Sequence, residues 1–211
     1  MVSSTVTVGV RDRDDVVRGR ERTLWSSHYG PMLNFPLFGW SEEWGFTFRE
    51  ANTGNGHFLS QFVGMNTAAG LDEFRAVFER ENGIPWVNTV AADSSGRVWY
   101  IDASRTPALS DEGERGFRHK IEEEPLTRLL YQNKVAVLDG SNPAYEWEDR
   151  PGAPAPGLVP FGELPQLSRH DWVVNANESH WLANPEQPLT NRSVSRDSIL
   201  GAQRIGTECF G

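Results

Sequence analysis

Two apolar, β-branched runs at residues 86–91 and 97–102 flank a short turn and limit how this chain can fold. The turn begins at Asp93 and ends at Gly96, and such a polar turn between two such runs is typical of an antiparallel β-hairpin. Valines alternate with small or polar residues over 6–10, which predicts another half-buried strand. Pairs of antiparallel strands are therefore the expected building unit.

The clearest helix signal lies at residues 71–82, where apolar side chains recur every three or four positions. Asn82-Gly83 follows as a stop signal. The segment 125–134 is a candidate for a second, shorter helix. These features predict an α+β fold dominated by antiparallel hairpins, with one or two helices packed on a sheet. A length of 211 residues fits a single domain over residues 1–211.

The remaining segments are predicted from their polarity and from their proline and glycine content. Residues 23–33 indicate a strand that ends at Gly30-Pro31, a turn signal. Residues 107–125 are polar and charged, and we expect a surface excursion there. Residues 139–168 contain six of the 13 prolines, which indicates a long ordered loop that fixes a pocket wall or serves function.

Charge and composition argue against several classes of partner. The formal net charge is -9 and the pI is about 5.1, and no basic stripe is present, so we expect no nucleic-acid partner. No apolar run reaches the roughly 18 residues of a membrane span. Residues 1–15 lack the apolar core of a signal peptide, so the sequence as written carries no export signal. The histidines and Cys209 do not match zinc-ligand spacing, so no metal or other cofactor is expected.

The stretch DWVVNANESHWLAN, residues 171–184, carries the most unusual chemistry. Its apolar run predicts a strand over 171–175 that ends in two asparagines, Asn175 and Asn177. A side-chain amide at a strand end can donate to a developing oxyanion, and it does so without titrating. The same two side chains could instead cap a turn or satisfy loop backbone groups. From the residues alone both interpretations stay open.

Four sequence blocks, which occur in a fixed order, favour the oxyanion interpretation. They are RTLWSSHYGPML (22–33), IPWVNTVAADSSGRVWYIDA (84–103), LDGSNPAYEWED (138–149), and VVNANESHWLANPEQPL (173–189) followed by GAQR (201–204). Together they resemble the β-subunit of the penicillin acylase family, N-terminal-nucleophile hydrolases that cut amide bonds. The last block is most similar to the branch of acyl-homoserine-lactone acylases and aculeacin A acylase. Tyr29, between the histidine and the glycine of the first block, departs from the family pattern.

The resemblance implies a fold and a set of roles. The fold would be part of a four-layer αββα sandwich of the N-terminal-nucleophile hydrolase type. Matching the last block to the family pattern makes Asn177 the oxyanion donor, Arg204 an arginine near the site and Asn175 a supporting residue. Trp86 and Trp181 would line the acyl pocket, although a core role suits either of them. Calcium occurs in some relatives, but no complete ligand set is matched here.

The family's nucleophile is a serine freed as the N-terminus of the β-subunit, and no block of this sequence matches it. We therefore expect an internal piece of a larger acylase precursor, a zymogen, whose partners are the missing α-subunit and the N-terminal part of the β-subunit. The substrate would be an N-acyl small molecule, an acyl-homoserine lactone or a lipopeptide, which implies quorum quenching or an antibiotic biosynthetic process. The parent would be periplasmic or secreted, and this chain would be inactive alone. The alternative is a non-catalytic β-rich binding module with an acylase-like body.

Overall fold

The computed structural model describes residues 1–34, 36, 39–85, 87–133, 135–176 and 180–189, with the backbone alone at 180–181. The chain divides into two compact units, Met1–Thr53 and Gly54–Gly211. Two such units can belong to one domain, and the single domain expected over 1–211 stays a prediction. Among the described residues, no helix combines the length and the apolar character that crossing a bilayer requires.

The first unit is a four-stranded antiparallel sheet in the order β1-β2-β3-β4. Its strands are β1 (Val2–Arg11), β2 (Val17–Ser27), β3 (Gly30–Leu33) and β4 (Phe46–Thr47). The predicted strand at 6–10 is confirmed within β1, but its predicted half-burial is wrong, because every residue of β1 is exposed. The single strand predicted over 23–33 is wrong, because the chain reverses after Ser27 and Ser27 pairs with Gly30. Glycine suits this turn, since Gly30 has a φ of 138° and a Cβ there would lie 2.1 Å from the Phe48 carbonyl oxygen.

Over its described residues, the second unit combines four α-helices with a three-stranded antiparallel sheet of order β5-β6-β7. The helices are α1 (Phe58–Thr67), α2 (Leu71–Glu81), α3 (Asp111–Glu123) and α4 (Pro125–Gln132), and the strands are β5 (Asn88–Ala92), β6 (Val98–Asp102) and β7 (Gln166–Arg169). Short 3-10 turns occur at Pro143–Tyr145, Phe161–Glu163 and His180–Ala183. The predicted hairpin, the helix at 71–82 and the shorter helix at 125–134 are confirmed.

The core of the second unit forms where α2 covers the sheet. The Trp99 ring meets the rings of Phe74 and Phe78 edge-on, with centroids 6.3 and 5.3 Å apart. Phe78, Trp99 and Ile101 are fully buried. Helix α2 ends as its sequence predicts, because Asn82 adopts the left-handed conformation and its N–H donates to the Phe78 carbonyl.

Two polar segments contain more regular secondary structure than their sequences suggest. Residues 107–125 contain α3, so the surface excursion predicted there is wrong: the Ser110 hydroxyl caps the helix by accepting from the Gly113 N–H, and Phe117 is fully buried. The loop predicted at 139–168 contains two 3-10 turns and gives way to β7 at Gln166. Within it, Leu158 and Leu164 are buried, because a long crossing segment can contribute to a core.

Candidate functional site

The candidate site begins at strand β6, whose side chains alternate between two apolar clusters. Trp99 and Ile101 pack in the cluster under α2. Tyr100 faces the other cluster, with Leu167 of β7 and Ala183. The Tyr100 side chain is thereby fixed between the sheet and the segment that follows β7.

The Tyr100 hydroxyl donates to Asn88 Oδ1 at 3.0 Å. This contact follows from the strand register, because Tyr100 pairs with Val90. Asn88 lies two residues before Val90, hence on the same face of the sheet, within reach of a tyrosine on the neighbouring strand. Tyr100 is only 2% exposed, so the hydroxyl holds the Asn88 amide from inside the fold.

The Asn88 amide then reaches across to the segment after β7. Its Nδ2 donates to Asn175 Oδ1 at 3.1 Å. We call Tyr100, Asn88 and Asn175 the amide relay, because a hydroxyl, one amide and a second amide are hydrogen-bonded in series. The relay runs from a buried tyrosine to an exposed asparagine at the edge of the second unit.

The strand predicted over 171–175 is wrong, since this segment is held by loop contacts and strand β7 ends two residues before it, at Arg169. The Val174 N–H donates to the Ala183 carbonyl at 2.9 Å. The Asn184 amide donates to the Trp172 carbonyl at 3.0 Å, and Asn184 is fully buried. A buried side chain thus takes the backbone hydrogen bond that a neighbouring strand would otherwise supply.

A cluster of charges holds the start of this segment. The Arg169 guanidinium, at the end of β7, pairs with Asp171 and lies 3.1 Å from a Glu186 carboxylate oxygen. The hydrogen bonds from Arg169 and then from the Trp172 N–H hold the pKa of Asp171 well below its usual range. Asp171 raises the pKa of Arg169 in turn. Both groups therefore stay charged from mildly acidic to alkaline pH, and the end of β7 remains tied to residues on both sides of the loop.

The predicted site residues divide into those that the structure describes and those that it does not. Asn175 is described and belongs to the amide relay. Asn177, Arg204 and Trp86 lie outside the described residues. Trp181 has a described backbone in the 3-10 turn His180–Ala183, and its side chain lies outside the description. The catalytic, supporting and substrate-binding roles of these five residues stay predictions.

The sequence did not predict a role for three residues near Asn175. They are Asn88, Tyr100 and Asn184, which anchor the segment before Asn177. One signal was available for Asn88: the two-residue period of the hairpin places its amide on the same face as Val90 and Tyr100. Asn184 gave no such signal, because its burial depends on a loop closure that the sequence pattern does not show.

Metal-ligating side chains are not clustered in the described part of the chain. Within those ranges no three His, Cys, Asp or Glu residues come together in a group that could hold a metal ion. The polar groups at the site are therefore amides, a hydroxyl and the charged cluster around Arg169. Amides and hydroxyls suit the hydrogen bonding of a neutral or anionic acyl group.

Comparison with known proteins gives a consistent result. The sequence model of the penicillin amidase family matches residues 1–205. The acyl-homoserine lactone acylase PvdQ of Pseudomonas fluorescens is 37% identical over 198 residues, which is 92% of this chain and 24% of that protein. The aculeacin-A acylase of Actinoplanes utahensis is 32% identical over 169 residues, 80% of this chain and 21% of that protein. The chain thus spans about a quarter of the length of the curated relatives that it matches.

A solved structure extends this result to the fold. The thermostable penicillin G acylase from Alcaligenes faecalis aligns with a TM-score of 0.55 and 18% identity, covering 91% of this chain and 28% of that chain. With the antiparallel sheets and few helices described above, this likeness confirms the predicted α+β fold of the N-terminal-nucleophile hydrolase type. The resemblance noted in the four sequence blocks is confirmed as well, and the chain belongs to the penicillin amidase family.

Proposed function

We propose that this chain is part of an amidohydrolase that cleaves the acyl amide bond of N-acyl substrates, and that it supplies the oxyanion-binding asparagine, Asn177. In such a reaction a nucleophile attacks the acyl carbonyl, and the carbonyl oxygen gains negative charge. The amide bond then breaks, the amine leaves with a proton, and water later releases the carboxylic acid. A neutral amide donor aimed at the oxyanion stabilises it without competing for the proton.

The observation that carries this proposal is the hydrogen bond from Asn88 to Asn175. Asn175 lies two residues before Asn177, and the bond ties it to the first residue of β5. The Val174 N–H and the Trp172 carbonyl are bonded to the far side of the loop, at Ala183 and Asn184. Functional side chains are placed most accurately when regular elements and supporting hydrogen bonds hold the nearby backbone. The segment before Asn177 has both kinds of support.

The nucleophile belongs, in this proposal, to acylase sequence outside residues 1–211, so the chain by itself is inactive. The extent of the match supports this, because the chain corresponds to 24% of its relative from Pseudomonas fluorescens. Helix α1 supports it too, since Phe58, Leu59, Phe62 and Val63 are all exposed. Apolar side chains grouped in this way are typical of surfaces that further protein covers.

For the substrate, the names of the relatives favour an N-acyl homoserine lactone or a lipopeptide. In this proposal Trp86 and Trp181 line the acyl pocket and Arg204 lies near the reacting group. An acyl pocket is formed mainly by apolar and aromatic side chains, with few polar groups. A periplasmic or extracellular parent enzyme would meet both substrate classes.

Steady-state hydrolysis tests the role of Asn177 directly. The polypeptide that carries this chain is assayed with N-acyl homoserine lactones of different acyl lengths and with an N-acylated cyclic peptide. Replacing Asn177 with Ala is expected to lower kcat by about 100-fold to 1,000-fold and to leave KM nearly unchanged, because the lost donor acts mainly in the transition state. Asn133→Ala, an exposed asparagine at the end of α4, is the matched control and should leave kcat unchanged.

Two outcomes would count against the proposal. An Asn177→Ala enzyme as fast as the parent removes the oxyanion role. Serine-dependent hydrolysis by the purified chain of 211 residues removes the claim that it is inactive alone. If the complete polypeptide hydrolyses none of these amides yet folds cooperatively as a soluble monomer, the alternative of a β-rich binding module is favoured instead.

A further inference from the structure

We infer that Asn88 and Tyr100 are positioning residues for the acyl-transfer site, acting through the amide relay on the segment that leads to Asn177. This inference rests on the proposed function, since Asn177 is the donor whose placement matters. Neither Asn88 nor Tyr100 is assigned contact with the substrate. Their role is to set the direction of the Asn175 amide and thereby the course of the backbone beyond it.

The polarity of the relay makes this more than simple contact. Tyr100 donates to Asn88 Oδ1, so the opposite arm of the Asn88 amide, its NH2, is turned towards Asn175. If Asn88 flipped by half a turn, its oxygen would face the Asn175 oxygen, and two acceptors would meet without a proton between them. In the observed arrangement the Tyr100 hydroxyl bonds to the oxygen of the Asn88 amide and leaves its NH2 group for Asn175.

The burial of Tyr100 keeps this hydrogen-bond arrangement in place. Tyr100 is 2% exposed and packs with Leu167 and Ala183, so its ring cannot leave without opening that cluster. Asn88 is half-buried, and Asn175 is exposed. Hydrogen bonds in series strengthen one another where water is largely excluded. The relay thus links the buried side of the sheet to the exposed Asn175, two residues before Asn177.

A second feature points the same way. The loop is tied at its other end by Asn184, whose amide donates to the Trp172 carbonyl and whose Oδ1 accepts from the Glu186 N–H. Residues 172–174 are thus held at backbone atoms by Ala183 and Asn184, whereas a side-chain bond at Asn175 comes from Asn88. Changing Asn88 should therefore disturb the end of the segment next to Asn177 and leave its start in place.

Two variants separate the relay from general packing. Tyr100→Phe removes the hydroxyl, keeps the buried ring and leaves every atom of Asn175 and Asn88 in place. Asn88→Ala removes the direct donor. Tyr145→Phe is the matched control, because Tyr145 is equally buried, at 5% exposure, in a different apolar cluster.

The experiment joins spectroscopy and kinetics on the polypeptide that carries this chain. NMR of protein isotope-labelled on asparagine follows the side-chain NH2 signals of Asn88 and Asn175. We expect Tyr100→Phe to shift both signals, although it does not touch Asn175, and Tyr145→Phe to shift neither. We expect Asn88→Ala to lower kcat by up to about 100-fold with little change in KM, as a small misplacement of a reacting group does. Tyr100→Phe should lower kcat by a smaller factor.

The outcomes distinguish this inference from the proposed function. If the Asn175 signal is unchanged in both Tyr100→Phe and Asn88→Ala, the relay does not exist in solution. If the signal moves and Asn177→Ala lowers kcat, yet Asn88→Ala leaves kcat unchanged, the positioning role is overturned and the proposed function stands. If Asn88→Ala lowers kcat while Asn177→Ala does not, the relay is supported and the role of Asn177 is overturned.

Discussion

The two units each contain an antiparallel hairpin, and the two hairpins differ in what surrounds them. Strands β1 and β2 pair over ten positions, yet every residue of β1 is exposed. Strands β5 and β6 pair over five positions, and Trp99 and Ile101 of β6 are fully buried. Both turns are closed by an aspartate, Asp12 in one and Asp93 in the other.

A long ladder of backbone hydrogen bonds therefore does not by itself make a hairpin stable. Backbone hydrogen bonds contribute little net free energy, because the unfolded chain bonds to water instead. Burial of apolar surface contributes most of the stability, and a two-stranded hairpin without such burial is marginal. The candidate site is built on the hairpin that has a core beneath it, and the amide relay depends on that core through Tyr100.

Truncating one apolar side chain in each unit should give the largest effect. We expect Phe78→Ala to lower the free energy of unfolding of the second unit by about 3–5 kcal/mol, because Phe78 is fully buried against Trp99. Val8→Ala, at a position 48% exposed in β1, should change stability by about 0.5 kcal/mol or less. Urea denaturation followed by tryptophan fluorescence measures both. Equal losses would show that the valines of β1 are covered in solution.

Much of the second unit was accessible to sequence reasoning, for a physical reason. The helix α2 and the hairpin β5–β6 combine strong periodicity with their own stop and turn residues, Asn82 and Gly96. Their local preferences and their tertiary contacts agree, so a local pattern predicts them. Helix α3 was missed because its charged residues dominate its composition, although Phe117 and Ile121 lie four residues apart and pack in one cluster.

The candidate site was predicted less completely. Asn175 was recognised from its unusual position, but the partners that hold it come from distant parts of the chain: Asn88 is 87 residues away. The strand expected at 171–175 failed because apolar alternation does not show whether a neighbouring strand has a free edge. That question is decided by tertiary pairing, here by the contacts of Asn184 and Ala183.

A second test compares one tight backbone approach in each unit. A Cβ on Gly30 would lie 2.1 Å from the Phe48 oxygen, and one on Gly83 would lie 2.4 Å from the His57 carbonyl carbon. We expect Gly83→Ala to cost about 1–3 kcal/mol of unfolding free energy in the second unit, since backbone atoms must shift. Gly30→Ala should cause a loss of similar size that is confined to the first unit.

Hydrogen exchange resolves the two glycine effects, because it reports the opening of each segment separately. Gly56→Ala is the control, since no atom lies within 4 Å of the position where its Cβ would stand. If Gly30→Ala left exchange in β3 unchanged, the close approach to Phe48 would carry no weight in solution, and the first unit would be looser than its backbone geometry indicates.

A third test uses pH to measure how much the hydrogen bonds to Glu81 stabilise the second unit. Hydrogen bonds from His57, Ser60 and Arg80 lower the pKa of Glu81 from 4.5 to about 2. Since the folded-state pKa is depressed, the stabilisation is present above about pH 4.5 and is lost as the pH falls towards 2. Glu81→Gln should cost about 1 kcal/mol at pH 7 and flatten this acid-side loss.

Thermal unfolding between pH 7 and pH 2 measures this effect, with the exposed Glu79→Gln on the same helix as the control. Glu81 links the two helices, because Ser60 at the start of α1 donates to it at 2.7 Å. A pH profile of Glu81→Gln that matches the parent throughout would mean that this link between α1 and α2 does not contribute to stability.

The smallest expected effect concerns the arginine–aspartate pairs at the two hairpin turns. Arg11 and Asp15 are 63% and 80% exposed, whereas Arg97 and Asp93 are 36% and 16% exposed. We expect a double-mutant cycle on Arg11 and Asp15 to give a coupling of about 0.5 kcal/mol or less, because water screens the charges and the side chains lose entropy. The coupling of Arg97 with Asp93 should be larger, since the Asp93 carboxylate also accepts from Ser95 and from the Arg97 N–H.

Repeating both cycles at about 1 M salt, where the screening length is about 3 Å, should abolish the first coupling and reduce the second only in part. Equal couplings at low salt would mean that the turn of the exposed hairpin is as firmly closed as the turn of the packed one, and the contrast between the two units would then rest on their apolar packing alone.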